Sequence, residues 1–342
     1  MILITGSNGW LGLNLVQALI EGAAEIRGLK IGKIRCLILP GSGSERLKKM
    51  DQSIEIVEGD LRNPRDLSNF MNGAKDGPLL HAAGMIHPKR VREFYEINRD
   101  GTRNLLEQAA LAGLKRAVIV SSNSPCGCNP HPDHRFDENS PYHPYMNYGR
   151  SKMEMEHEVM KITEEGALET VLIRAPWFYG PEQPPRQKLF FEMIRNGKVP
   201  IVGDGENLRS MAYTGNLVQG LLLAAVSEKA CNQIYWIADE RPYSMNEIID
   251  TIERLLEEEF GQACAHKRIR LPSFVSGAAE LVDAGLQLLG LYHQKFHVLS
   301  EMNKTIACDV SLARSELEYE PEVSLEEGMR RSLAEIYSPD PT

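Results

Sequence analysis

Residues 2–12 read ILITGSNGWLG, and this stretch decides the fold. A short aliphatic run is followed by Gly6, Gly9 and Gly12 and then by LNLVQALIEG, whose apolar residues recur every three to four positions. That order predicts a strand, a tight turn and an amphipathic helix. The G-x-x-G-x-x-G spacing lets the main chain approach a pyrophosphate, whose charge then meets the N–H groups opening the helix. Glycine triplets alone are a weak signal. At the first strand of an alternating chain they predict a dinucleotide site, with Gly6, Ser7, Asn8, Gly9, Trp10 and Gly12 as its cradle.

The alternation continues beyond the cradle. RCLIL, IEIVEG, PLLHAA, RAVIVSS and TVLIRA are strand-like, and YEINRDGTRNLLEQAALAG is helix-like and closes on Gly113, a C-cap. The expectation is an α/β chain of the Rossmann type, a doubly wound parallel sheet with a smaller C-terminal substrate-binding lobe. Residues 1–174 are read as the dinucleotide-binding domain, with 208–240 returning to it. Residues 175–207, punctuated by Pro181, Pro184, Pro185 and Pro200, and residues 241–342 are read as the lobe. Residues 123–144, rich in Pro, His, Asn and Ser, are too long for a plain connection and predict a functional loop.

Composition narrows the function. The 342 residues carry a formal net charge of -9, and no run of five Lys/Arg offers a local pull toward nucleic acid. The six cysteines are scattered, and Cys126-x-Cys128 without a second pair is a poor zinc site, so no metal is expected. An apolar strand at the very start argues against a signal peptide, and with reduced thiols this favours the cytoplasm. The apolar run FVSGAAELVDAGLQLLGLY is interrupted by Glu280 and Asp283, which argues against a membrane span. The partner expected is a small-molecule substrate.

The strand ends supply the remaining candidates, because ligands of such sheets lie beyond the carboxyl ends of the strands. After the second strand come Leu39 and Pro40, neither an acid for adenosine ribose hydroxyls nor an arginine for a 2′-phosphate, and Arg46 follows a few residues later. The cofactor is therefore read as NAD or NADP. Asp60, followed by Leu61, can bond an adenine amino group or cap a helix. Ala82, Ala83 and Gly84 leave room for ribose and phosphate, and His81 is read as a partly buried strand residue. Ser121 and Ser122 end the fifth strand, and YMNYGRSK, residues 145–152, places Tyr148 four residues before Lys152 on one helix face. A tyrosine, with an ordinary pKa of about 10, needs a nearby positive charge to act as a base near neutrality. Lys152 is expected to supply it, Tyr148 to move the proton and Ser122 to hold the substrate oxygen.

These residues resemble the extended short-chain dehydrogenases/reductases over nearly the whole chain, through TGSNGWLG, GDLRNP, HAAG, NRDGTRNLLEQA, SSNSPCG, YGRSK, RAPWFYGP, GDGENLRSMAYTGN and LEYEPEVSLEEGMRRS. The resemblance implies Ser122, Tyr148 and Lys152 as the catalytic set. It also implies Asn98 on a water relay to the lysine, Pro176 over the nicotinamide, and a homodimer. Ser122 is preferred to Ser121 because it lies five residues before Gly127, the closing glycine of that motif.

Departures from the family pattern separate its branches. Asn123 and Ser124 stand where sugar-nucleotide 4,6-dehydratases carry an Asp-Glu pair, which argues against water elimination. Trp177 stands where many nucleotide-sugar epimerases carry an asparagine, a feature shared with the 3β-hydroxysteroid dehydrogenase branch. Against this, Arg209 occupies a phosphate-gripping position and Arg186 offers a second cation. An oxidoreductase or epimerase acting on a nucleotide sugar is the leading expectation. An enzyme for an apolar alcohol or ketone is the alternative, and a non-catalytic NAD(P) sensor is disfavoured by the intact trio. Two cations in the substrate pocket would favour the first; walls of Trp177, Phe178, Tyr142 and Tyr145 would favour the second.

Overall fold

In a strand, successive side chains point to opposite faces, and the aliphatic runs of this chain fill both. Ile2, Ile4, Val118, Val120, Val171 and Ile173 enter one buried cluster, while Leu3, Ala117, Ile119 and Leu172 enter another on the far side. A strand apolar on both faces must be covered on both, which is why the sheet is parallel and sandwiched by helices. The computed structural model describes residues 1–23, 27–29 and 32–338. Its main sheet contains β1 (Ile2–Thr5), β2 (Ile34–Ile38), β3 (Glu55–Glu58), β4 (Pro78–His81), β5 (Arg116–Ser122) and β6 (Glu169–Ala175). The seventh member is Gln233–Trp236, and the order across the sheet is β3-β2-β1-β4-β5-β6 and then Gln233–Trp236. All pairings are parallel. This is the expected Rossmann-type architecture, with its switch of direction between β1 and β4.

Helices Trp10–Ile20 and Thr214–Val226 cover the first face, and Pro64–Met71, Thr102–Leu111 and Met146–Glu164 the second. Gly113 ends Thr102–Leu111 as expected, with φ of 68° and the Leu114 N–H reaching back to the Ala109 carbonyl at 3.1 Å.

A third cluster, built around Tyr179, Phe191, Tyr213, Ile248, Ile252 and Met329, belongs to the smaller lobe. The returning segment begins later than the expected residue 208. Leu208–Tyr213 pairs with Trp177–Tyr179 and Pro242–Ser244 in a separate three-stranded sheet, and only from Thr214 does the chain join the main core. The C-terminal boundary differs too: Cys308, Val310, Ala313, Leu317 and Tyr319 pack into the first cluster, not into the lobe. Apolar side chains in Ser311–Leu317 complete the face beside Gln233–Trp236, so burial takes that segment back to the main sheet. Among the described residues no helix is long and apolar enough to cross a membrane, and no His/Cys/Asp/Glu group could hold a metal ion.

Candidate active site

The glycine loop closes by contact. Gly6 has φ of 73°, and a Cβ there would lie 2.6 Å from the Ala83 nitrogen. A Cβ on Gly12 would lie 2.0 Å from the Gly6 carbonyl oxygen. Only glycines let the turn nest against Ala82 and Ala83 at the end of β4. Gly9 caps helix Trp10–Ile20 without any side-chain hydrogen bond, so the opening N–H groups have no side-chain acceptor. A backbone cradle open to an anion fits a pyrophosphate. Asn8 braces it by donating to the Gly43 carbonyl at 2.8 Å, and Trp10 Nε1 donates to the Pro181 carbonyl at 2.7 Å, tying the cradle to the lobe. Ser7 is fully buried beside it.

Asp60 caps no helix; Asn63 does, through Arg65. The Asp60 carboxylate instead takes the Arg62 backbone N–H and guanidinium, which hold it below the usual carboxylate range. Leu61 is buried against Gly101. His81 is wholly buried, with Nδ1 2.6 Å from Thr5 Oγ1 and Nε2 2.8 Å from Thr102 Oγ1. Arg46 is paired with Glu182.

Asn98 lies in a π-helical turn, Tyr95–Gly101, between Arg92–Phe94 and Thr102–Leu111. Its amide accepts from the Met85 N–H at 2.7 Å and donates to the Met85 carbonyl and to Ser151 Oγ, each at 3.0 Å. Ser151 in turn donates to the Tyr148 carbonyl at 2.8 Å. Asn98 thus fastens the segment after β4, next to Gly84, to the tyrosine's helix. It has no direct bond to Lys152.

A cavity of about 440 Å³ opens beyond the carboxyl ends of β5 and β6. Ser122, Tyr148, Pro176, Trp177, Arg186 and Arg209 all line it, and Trp10 joins it to the cradle. Helix Met146–Glu164 reaches it because Gly149 has no side chain: a Cβ there would stand 2.4 Å from the Ser124 carbonyl oxygen. Tyr148 is therefore brought to the cavity that Ser122 also lines, where the Ser122 hydroxyl lies 3.4 Å from Asn123 Oδ1 and 3.3 Å from Ser124 Oγ.

The charge relation within the trio differs from the expected one. Burial pushes the Tyr148 phenol up to about 12, and the opposing pulls are the Ser122 hydroxyl and the Arg186 guanidinium, not Lys152. Lys152 Nζ donates to the Val120 carbonyl at 2.9 Å, and burial pushes its ammonium down to about 8 against the pull of Glu156. The expected aromatic wall is also partly elsewhere. Tyr142 donates to Glu156 Oε2 at 2.8 Å and Tyr145 to Ser300 Oγ at 2.7 Å, so neither faces the cavity that Trp177 and Phe178 line.

Sequence reasoning missed Glu156 and Arg174. Both are buried, with Arg174 NH2 2.7 Å from Glu156 Oε2 and Ser121 Oγ donating to Glu156 Oε1 at 2.5 Å. The guanidinium lies 5.3 Å from the Tyr142 ring centroid and 5.7 Å from that of Trp236. Breaking a buried pair of this kind costs about 3–5 kcal/mol. The signal was available: Tyr148, Lys152 and Glu156 are spaced four apart on one helix face.

The cavity's other residues indicate the ligand it can take. Arg209 Nε and Gln187 Nε2 are buried without a hydrogen-bond partner, while Arg209 NH2 donates to the Glu301 carbonyl. Both residues line the cavity, as do Glu301, His297 and the apolar Phe190, Met193 and Ile306.

The sequence model of the NAD dependent epimerase/dehydratase family matches residues 2–238. The uncharacterized protein y4nL of Sinorhizobium fredii is 52% identical over 97% of this chain and 94% of its own. The 3beta-hydroxysteroid-dehydrogenase/decarboxylase isoform 1 of Arabidopsis thaliana is 28% identical over 96% of this chain and 78% of its own. Among solved structures, DesIV, a dTDP-glucose 4,6-dehydratase of Streptomyces venezuelae with NAD and TYD bound, superimposes with a TM-score of 0.76. That pair is 23% identical, covering 97% of this chain and 95% of the other, so the likeness is one of fold.

Proposed function

The chain belongs to the NAD dependent epimerase/dehydratase family, and from that premise we propose that it oxidises, reduces or epimerises a secondary carbinol carbon of a nucleotide sugar. NAD, when bound, takes up or returns the hydride. Tyr148 exchanges the hydroxyl proton, Ser122 holds the substrate oxygen, and Lys152 sits one helical turn behind as the positioning cation. Residues 1–174, rejoined from Thr214, carry the dinucleotide, with Gly6 to Gly12, Asp60, Leu61, Ala82 to Gly84 and Pro176 along it. The pairing of Arg46, the first cation after β2, with Glu182 supports NAD over NADP.

The observation that carries the substrate class is Arg209 Nε, a buried donor without a partner beside the same cavity as Tyr148. An orphaned buried donor costs about 1–3 kcal/mol, which an oxygen-rich ligand relieves. With Arg186 lining the same cavity, the pair suits a diphosphate. The Trp177, Phe190 and Met193 walls favour a second reading, an apolar alcohol or ketone of the 3β-hydroxysteroid type.

A thermal-shift panel of NAD, NADP, UDP, GDP, dTDP and a steroid separates these readings, since a ligand preferring the folded state raises the melting temperature. NAD and one nucleoside diphosphate are expected to stabilise the protein. Arg209→Gln should remove the diphosphate shift and keep the NAD shift. A response to the steroid alone would transfer the assignment to the second reading. Tyr148→Phe should lower kcat by at least about a hundredfold, the scale of general acid–base catalysis, with the NAD shift intact. Retained turnover would refute the proton-transfer role.

A further inference from the structure

Helix Phe274–Leu288 is folded inside out. Its buried face is Ser276, Ala279, Asp283 and Gln287. Asp283 Oδ2 lies 2.9 Å from His297 Nδ1, Gln287 accepts from the Asn147 N–H at 3.0 Å, and Ser276 donates to the Ser300 carbonyl at 2.6 Å. The opposite face is apolar and open: Phe274, Leu281 and Leu288 are 74%, 76% and 89% exposed. Val282 and the following Leu289 widen it. The helix's two acids, which break the apolar run in the sequence, both turn away from this face. Asp283 is buried, and Glu280 pairs with Lys304. A surface helix of a water-soluble fold ordinarily shows the reverse arrangement, and an exposed apolar patch marks an interaction site.

Two further observations identify what covers it. The chain leaving the helix runs beside residues 89–91, with Arg90 bridged to Leu291 and the Val91 N–H bonded to the Gly290 carbonyl at 3.0 Å. Lys89 and Arg90, both exposed, therefore border the apolar face, and neither side chain pairs with a carboxylate among the described residues. In a chain of net charge -9, unpaired cations beside an apolar face are complementary to an anionic, fatty surface. A two-fold dimer through the same patch would set each copy's Lys89–Arg90 pair within one interface, where like charges oppose association. The apolar surface also extends to the cavity rim, where Ile86 and Val298 line the cavity and are 43% and 46% exposed.

We propose that this face docks on an anionic bilayer surface. The outer side of Phe274–Leu288 enters the headgroup boundary, Lys89 and Arg90 meet lipid phosphates, and the cavity rim lies at the same surface. The docking is independent of which substrate the cavity takes.

Sedimentation of the full chain with phosphatidylglycerol/phosphatidylcholine vesicles, and with phosphatidylcholine alone, tests it. The protein is expected to pellet with the anionic vesicles and to be released by high salt. Leu281→Asp/Leu288→Asp should remain in the supernatant with an unchanged melting temperature and NAD shift. Lys89→Glu/Arg90→Glu should weaken partitioning by at least about tenfold. A wild-type chain that ignores every vesicle, or a leucine variant that pellets as well as wild type, overturns the proposal. So does a dimer in light scattering that the leucine substitutions split, which would give the face to a second copy.

Discussion

His81 illustrates how one side chain can couple stability to pH. Two threonine hydroxyls hold its ring nitrogens, and burial lowers its pKa to about 3. An unfolded chain takes up the proton near pH 6.5, and the fold refuses it until about pH 3. Unfolding is therefore favoured progressively as the pH falls from 6.5 toward 3, by on the order of 2 kcal/mol at pH 5 from this residue. The melting temperature should fall between pH 7.5 and 5, and His81→Gln should flatten that fall; an equal slope in both proteins would contradict the assignment. Periodicity placed His81 on a strand, but the closing of Thr5 and Thr102 around it from other elements could not be read from neighbours in sequence. The same holds for Lys152. Its four-residue spacing from Tyr148 was legible, whereas the turn of its amine toward the Val120 carbonyl depends on where β5 lies.

Among the elements, helix Met146–Glu164 bears most on the candidate site, since it carries Tyr148, Lys152 and Glu156 on one face. Its approach to the Ser122 strand end rests on Gly149, and Asn98 secures it from the π-helical turn. Gly149→Ala places a methyl group 2.4 Å from a backbone oxygen that cannot swing aside. The helix must then shift, at a cost of about 1–3 kcal/mol, and Tyr148 moves with it. A lowered melting temperature together with a loss in kcat larger than the change in NAD affinity is the expected result. An alanine variant with wild-type stability and kcat would show that the contact does not set the helix's position. The strands, the glycine turn and the Gly113 cap were all legible, because each depends on local spacing. The π-helical turn was not, since nothing in YEINRDG distinguishes a widened turn from an ordinary one.

At the scale of the whole molecule the two units are interleaved, not strung in series. The chain leaves the main sheet after β6, returns at Thr214, leaves again after Gln233–Trp236, and returns once more through Cys308 to Tyr319. Trp10 and Asn14 of the first unit both bond the Pro181 carbonyl of the second. Neither unit can unfold without removing strands or helices from the other, so calorimetry should show one thermal transition; two separable peaks would refute this coupling. By itself the sequence determined the parallel sheet, the glycine cradle and the identity of the Ser122, Tyr148 and Lys152 candidates, because strand period, turn chemistry and helical spacing act over a few residues. Only the tertiary structure decided that Arg186 and Arg209 share a cavity with Tyr148 while Tyr142 and Tyr145 do not. It alone showed that the acids of Phe274–Leu288 turn inward and leave an apolar face outside. Those outcomes depend on which residues far apart in the chain pack together, and burial is a property of the folded surface, not of the local pattern.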